Sequence, residues 1–216
     1  MMTQTECDSR LAELAVVPVV KITDAAHAAP LARALLSGDL PVAEITFRTD
    51  QAAASIAAIA DQDPAFLVGA GTVRSVEQAT AAVDAGAQFV VSPGFNPAVV
   101  DWCLQRKVPV YPGVTGTEGM EMGLARGLTT LKFFPAGAYG GVAVLKALYA
   151  PYSDVKFMPT GGVSPENLAE YLRLANVVAC GGSWLTPAGA MAAGEWDRIS
   201  ALAQEARAVV RTVRRA

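Results

Sequence analysis

Thr130-Leu131-Lys132-Phe133-Phe134-Pro135-Ala136 sets one lysine inside a run that otherwise reads as a buried parallel strand closed by proline. Burying an ammonium is costly unless it is paired or deprotonated, so two readings of Lys132 compete. Either it is a strand-end residue whose stem packs while its amine reaches water, or it is an amine held neutral as a nucleophile. The chain on either side has to decide.

Similar apolar runs recur in both directions, each separated from the next by turn residues and a helix-compatible segment. Before the quoted stretch they cover residues 16–22, 42–47, 66–72, 89–94 and 108–114; after it, residues 155–160 and 177–180. A leading helix is expected over residues 5–15, and Thr23 or Asp24 can cap an alanine-rich helix ending at Ser37-Gly38. Further helices are expected over residues 165–174 and from about residue 194 to the end. His27 reads as a helix-surface residue, and Arg207, Arg211, Arg214 and Arg215 as cations opposing the macrodipole at the end of the last helix. Eight strand-helix units in 216 residues predict an α/β fold, a single-domain (β/α)8 TIM barrel over residues 1–216 with a short N-terminal helix.

Composition narrows the function. With 52% hydrophobic residues the chain can bury one large core, and a net charge of −3 offers no general attraction to nucleic acid or an anionic membrane. A small anionic ligand would need a local site. Cys7, Cys103 and Cys180 are scattered and lack metal-ligand spacing; with a polar amino terminus they predict a reduced, cytoplasmic protein. No apolar run reaches membrane-spanning length. His27 is the only histidine, which argues against multi-histidine metal sites and Ser-His or Cys-His pairs. Catalysis is expected to need no metal and no cofactor, and to rest on lysine, carboxylate, hydroxyl or backbone.

In a barrel the active site gathers at the C-terminal strand ends, and polar residues cluster there in the sequence. Glu44, Thr46 and Arg48 share one face of the second strand by its two-residue period; they would line the lumen or form an ion-paired layer filling it. Gly69-Ala70-Gly71-Thr72 brings a hydroxyl to the rim, or is an ordinary glycine turn. Ser92-Pro93-Gly94 and Tyr111-Pro112-Gly113 read as turns. Thr160-Gly161-Gly162 and Gly181-Gly182-Ser183 end the seventh and eighth strands, where backbone amides of such barrels hold phosphate; two unrelated turns are the competing reading. Together these groups suit amine attack on a ketone, with Glu44 as general acid/base and Arg48 pairing with a substrate carboxylate.

The same residues resemble the 2-keto-3-deoxy-6-phosphogluconate (KDPG) and 4-hydroxy-2-oxoglutarate (KHG) aldolase family nearly end to end. The resemblance rests on residues 42–49, 69–72, 89–94, 131–136, 157–162 and 181–185, in family order. It implies a class I aldolase, without metal or cofactor, that cleaves KDPG to pyruvate and glyceraldehyde 3-phosphate and, among its relatives, KHG. Lys132 would form the Schiff base and Glu44 would move protons. Arg48 and Thr72 would bind the pyruvyl carboxylate, Pro93, Phe134 and Thr160 would line the pyruvyl pocket, and Gly161, Gly162 and Ser183, with Gly181 and Gly182, would hold the phosphate. The family implies a homotrimer. The chain departs from the pattern at Val114-Thr115-Gly116-Thr117 and Gly137-Ala138-Tyr139, which bears on the aldehyde end of the substrate. Alternatives are a 2-keto-3-deoxy-6-phosphogalactonate aldolase, a binding barrel without chemistry, and an isomerase or epimerase needing no imine.

Overall fold

The computed structural model describes residues 2–215. Nine strands alternate with helices: β1 (Val16–Val20), β2 (Val42–Thr46), β3 (Leu67–Gly71), β4 (Phe89–Val91), β5 (Val110–Tyr111), β6 (Gly113–Val114), β7 (Thr130–Phe133), β8 (Lys156–Pro159) and β9 (Cys180–Gly182). All their pairings are parallel, in a six-stranded sheet ordered β5-β4-β3-β2-β1-β9 and a three-stranded sheet ordered β6-β7-β8. Two single bridges, Phe157 to Val177 and Thr160 to Gly181, connect β8 to the β9 region. The result is an α/β fold with a curled parallel sheet.

The fifth expected strand is split into β5 and β6 by Pro112, which has no N–H to give to a ladder. The eighth is shifted. Residues 177–180 were expected, but β9 is Cys180–Gly182, paired through Val16–Pro18 of β1, while Val177 makes only a single bridge. Gly181 and Gly182 are therefore strand residues rather than a turn. They lack side chains because the volumes are taken: a Cβ at Gly181 would meet the Thr160 hydroxyl, and one at Gly182 the Trp184 ring. By contrast Gly161 and Gly162 do form a turn, at φ +86° and +82°, where glycine is favoured.

Helices wrap the sheet: α1 (Gln4–Leu14), α2 (Ala28–Ser37), α3 (Ala52–Ala60), α4 (Val76–Asp84), α5 (Pro97–Gln105), α6 (Thr117–Leu124), α7 (Gly141–Tyr149), α8 (Leu168–Leu172), α9 (Ala188–Ala192) and α10 (Trp196–Arg215). α1 starts on a capping box in which Thr3 and Glu6 satisfy each other's backbone amides. Asp24 caps a 3-10 turn ahead of α2, and half-buried His27 ends that turn edge-on to Trp196. Gly38 follows α2 at φ −86°, not left-handed; it is glycine because Ala203 of α10 packs where its Cβ would be.

The arginines of α10 are more specifically employed than its own dipole requires. Arg207 donates to the Glu13 and Leu14 carbonyls at the end of α1, Arg207 and Arg211 reach Asp39, and Arg214 donates to the Val178 carbonyl. The Arg215 side chain and residues 1 and 216, included in the expected domain and last helix, lie outside the described residues. One buried hydrophobic cluster runs from Cys7 through the strands to Val210 on α10.

Candidate active site

Lys132 occupies the third position of β7, in register with Gly113 on one side and Met158 on the other. Its side chain is only 5% exposed, which removes the reading of a strand-end lysine reaching water. The amine instead donates to Glu44 Oε1 at 3.2 Å. Glu44 comes from β2, which is not a sheet neighbour of β7, so the two side chains meet across the interior of the curled sheet. Its Nζ also lies 5.2 Å from the Phe134 ring centroid.

Neighbouring residues make room for this pair. Gly71 on β3 is bare because a Cβ there would overlap the Glu44 carboxylate. Thr46, the last residue of β2, is buried and donates to the Val20 carbonyl at 2.7 Å. Arg48 follows in the turn beyond β2 rather than on the strand, and its Nε donates to Thr46 Oγ1 at 3.0 Å. Thr72, just past β3, has φ +56°, an uncommon conformation for a β-branched residue. Such outliers concentrate at functional sites, where surrounding structure holds them.

These groups open onto one cavity of about 330 Å³. It is lined by Lys132, Arg48, Thr72, Pro93, Phe134, Thr160, Gly161, Gly162, Gly181, Gly182 and Ser183, with Val19 and Val163. Eleven of the twelve residues expected from the sequence thus face the same space, and the twelfth, Glu44, reaches it through Lys132. The two glycine pairs line one cavity rather than two unrelated turns, and the buried charge of Glu44 is paired across the sheet with Lys132 rather than along its own strand. Val19 and Val163 went unnoticed because nothing separates them from the other valines of buried strands and loops. Thr46 was seen as a face residue but not as Arg48's partner.

The amine, the guanidinium, the left-handed threonine, four glycines and the exposed Ser183 share this cavity, with the Glu44 carboxylate behind the amine. The Gly161 carbonyl accepts from the Gly137 amide at 2.8 Å, so the segment beginning at Gly137 backs the Gly161-Gly162 wall. Thr115 and Gly116 line a separate hollow on the far side of Pro93 and Gly94. Among the described residues, no three His, Cys, Asp or Glu side chains gather as a metal-binding set.

A neutral amine beside a carboxylate can add to a ketone, with the carboxylate exchanging the protons that addition and dehydration require. The guanidinium fork suits a carboxylate, and left-handed glycines let backbone amides approach an anion. The arrangement therefore fits a small molecule carrying a ketone, a carboxylate and a second anionic group.

Comparison with known proteins agrees in extent. The family model for KDPG and KHG aldolase matches residues 7–202. The chain is 49% identical over 200 residues to a 2-dehydro-3-deoxy-phosphogluconate aldolase of Treponema pallidum, covering 93% of this chain and 95% of that one. It is 44% identical over 203 residues to a KHG/KDPG aldolase of Escherichia coli, covering 94% and 95%. Among solved structures it resembles a KDPG aldolase from Legionella pneumophila, with pyruvate captured as a covalent carbinolamine, at a TM-score of 0.88 and 38% identity over 91% of this chain and 96% of that one.

Proposed function

The chain belongs to the KDPG and KHG aldolase family, and from that premise we propose that Lys132 is its imine-forming amine and Glu44 its proton carrier. The activity is that of a carbon–carbon lyase, a class I aldolase cleaving 2-keto-3-deoxy-6-phosphogluconate to pyruvate and glyceraldehyde 3-phosphate. One observation carries the residue assignment: a buried lysine that lines the cavity and lies 3.2 Å from a buried carboxylate behind it.

The steps follow from that contact. Lys132 Nζ adds to the C2 ketone while Glu44 accepts and returns protons, and loss of water from the carbinolamine leaves an iminium. Cleavage of the C3–C4 bond sends its electron pair into the iminium, giving an enamine, as the C4 hydroxyl loses its proton to Glu44, directly or through water. The aldehyde departs. Protonation of the enamine at C3 and hydrolysis of the imine then release pyruvate and restore the amine.

Arg48 and Thr72 hold the pyruvyl carboxylate in this reading, and Pro93, Phe134 and Thr160 enclose the pyruvyl moiety. Gly161, Gly162, Gly181, Gly182 and Ser183 hold the phosphate, a role supported by their place in the same cavity as Lys132 and by the left-handed φ of Gly161 and Gly162. KHG, cleaved to pyruvate and glyoxylate, is a second substrate to compare; it has no phosphate for the glycines to bind. The 6-phosphogalactonate epimer is a third. We extend the proposal to a sheet closed as an eight-stranded barrel in one domain, to a homotrimer, and to a cytoplasmic location. For the closed barrel the support is the pair of bridges between β8 and β9 and the short break at Pro112. Among the described residues no helix is long and apolar enough to cross a membrane.

Incubation with pyruvate and borohydride tests the chemistry. The expected product is a reduced pyruvyl adduct on the peptide containing Lys132, and an unmodified Lys132 overturns the assignment. Light scattering tests the assembly, which should have three times the 22.4 kDa chain mass.

A further inference from the structure

The geometry points to Thr46 as a positioning residue that decides which edge of the Arg48 guanidinium meets the substrate carboxylate, an inference that rests on the reading of Arg48 as the carboxylate's partner. Thr46 Oγ1 carries one proton, and that proton is given to the Val20 carbonyl at 2.7 Å. The oxygen can therefore face Arg48 only as an acceptor, which it does, taking the Nε proton at 3.0 Å. The relay cannot reverse. A carbonyl has no proton to offer back, and Arg Nε has no lone pair to receive one.

The backbone around the arginine is fixed as well. Phe47 donates its amide to the Gly71 carbonyl of β3 at 2.8 Å, and the Arg48 amide turns back onto the Thr46 carbonyl at 2.7 Å. Thr49 Oγ1 donates to the Ile22 carbonyl just beyond β1. The turn bearing Arg48 is thus bonded to both strands beside β2, with Thr46 and Thr49 anchoring it on either side.

A carboxylate can approach a guanidinium side-on, through Nε and one Nη, or end-on, through the two Nη groups. With Nε committed inside the protein, only the end-on edge remains for the ligand. The substrate carboxylate is held at one orientation, and the adjacent keto carbon is presented to Lys132 from one direction. Thr46 touches no substrate; it acts through Arg48.

The test compares the concentrations of pyruvate and of its neutral analogue pyruvamide that give half the maximal rate of borohydride trapping on Lys132. Hydrogen bonds to charged groups are worth about a tenfold change in affinity or somewhat more. Thr46→Val should raise the pyruvate concentration ~10-fold and leave that of pyruvamide within ~2-fold, and Thr46→Ser should restore the wild-type value. In an Arg48→Ala background, Thr46→Val should add nothing. Thr46→Ala carries the same expectations if the valine variant does not fold. Equal weakening for both ketones, or the same loss with and without Arg48, would overturn the inference and leave Thr46 as a cross-strand bond alone. Should Arg48→Ala by itself leave pyruvate unaffected, it is the carboxylate role of Arg48 that fails, and the inference goes with it.

Discussion

Each end of the sheet sets a carboxylate among hydrogen-bond donors, half-buried Asp8 at one and buried Glu44 at the other, and the two are used in opposite ways. At the N-terminal ends of the strands, Asp8 of α1 is enclosed by donors: Gln4 Nε2 at 3.0 Å and Tyr111 Oη at 2.7 Å on one oxygen, Thr130 Oγ1 at 3.1 Å on the other. Gln4 also accepts the Val110 amide at 2.9 Å, so α1 is stitched across the starts of β5 and β7. Towards the C-terminal ends, Glu44 is met by Lys132, whose amine faces a cavity. A network whose donors and acceptors are matched internally has nothing left for a ligand. A network that ends at a cavity wall holds its bonding capacity for one. The division between a structural end and an end open to a ligand is therefore visible here as a difference in hydrogen-bond closure.

Matched carboxylate-to-amide substitutions at the two ends test this contrast. Glu44→Gln keeps the shape and an acceptor for Lys132 but cannot take a proton, so kcat should fall ~10²- to 10⁴-fold while the melting temperature stays nearly constant. Steady-state cleavage with a thermal melt of the same sample checks both halves, and a variant that unfolds without losing specific activity would reverse the assignment of roles. Gly71→Ala acts on the same end indirectly. Its methyl would occupy the place of the Glu44 carboxylate, and displacement of a catalytic group by about an ångström can cost ~10²-fold. Trapping with pyruvate should slow with it.

The opposite end should answer in stability. Asp8→Asn replaces an acceptor oxygen with a donor facing the Thr130 and Tyr111 region, leaving buried hydroxyl groups poorly matched at about 2 kcal/mol. For a chain of this size that lowers the melting temperature by ~4–8 °C, with kcat/KM within ~2-fold because the cavity lies at the far strand ends. A large loss of activity without destabilisation would mean that the two ends are coupled and that the closed network is not purely structural.

How legible each end is in sequence follows from the same contrast. The cavity end announces itself because Lys132 and Glu44 are charged residues in buried strands, where they are expensive, and because glycine pairs interrupt apolar runs. The closed end does not: Asp8, Tyr111 and Thr130 are unremarkable in composition, the last two lie more than a hundred residues from Asp8, and only the fold makes them neighbours. Strand edges depart from the apolar pattern where backbone geometry governs. Pro112 breaks a ladder that reads as continuous, and Gly181-Gly182 sit within a strand although glycine pairs usually mark turns. Thr72 in a left-handed conformation has no sequence signal, since threonine is a poor choice for one.

The smallest expected effect separates the ends by pH. Cys7, on α1, lies among the residues of the closed end, where burial pushes its thiol up to about 12 despite a hydrogen bond with Tyr111 that works the other way. Burial also raises Cys103 to about 12 and drives the Tyr111 phenol far above its ordinary range, with Cys7 and Asp8 adding to the effect on Tyr111. Each group ionises more readily once unfolded, so the folded state binds more protons in alkaline solution. The stability these groups contribute is fully present below the unfolded thiol value near 9 and is lost as pH rises through the folded value near 12. Between those limits each thiol should remove about 1 kcal/mol per pH unit, read from denaturant midpoints at several pH values. At pH 8 the native protein should react with a thiol reagent only as fast as it unfolds, whereas Lys132, facing the cavity, should be trapped by pyruvate and borohydride in the folded state. Rapid native-state labelling of Cys7 at pH 8 would show that α1 opens freely, and the closed end would then be no more closed than the other.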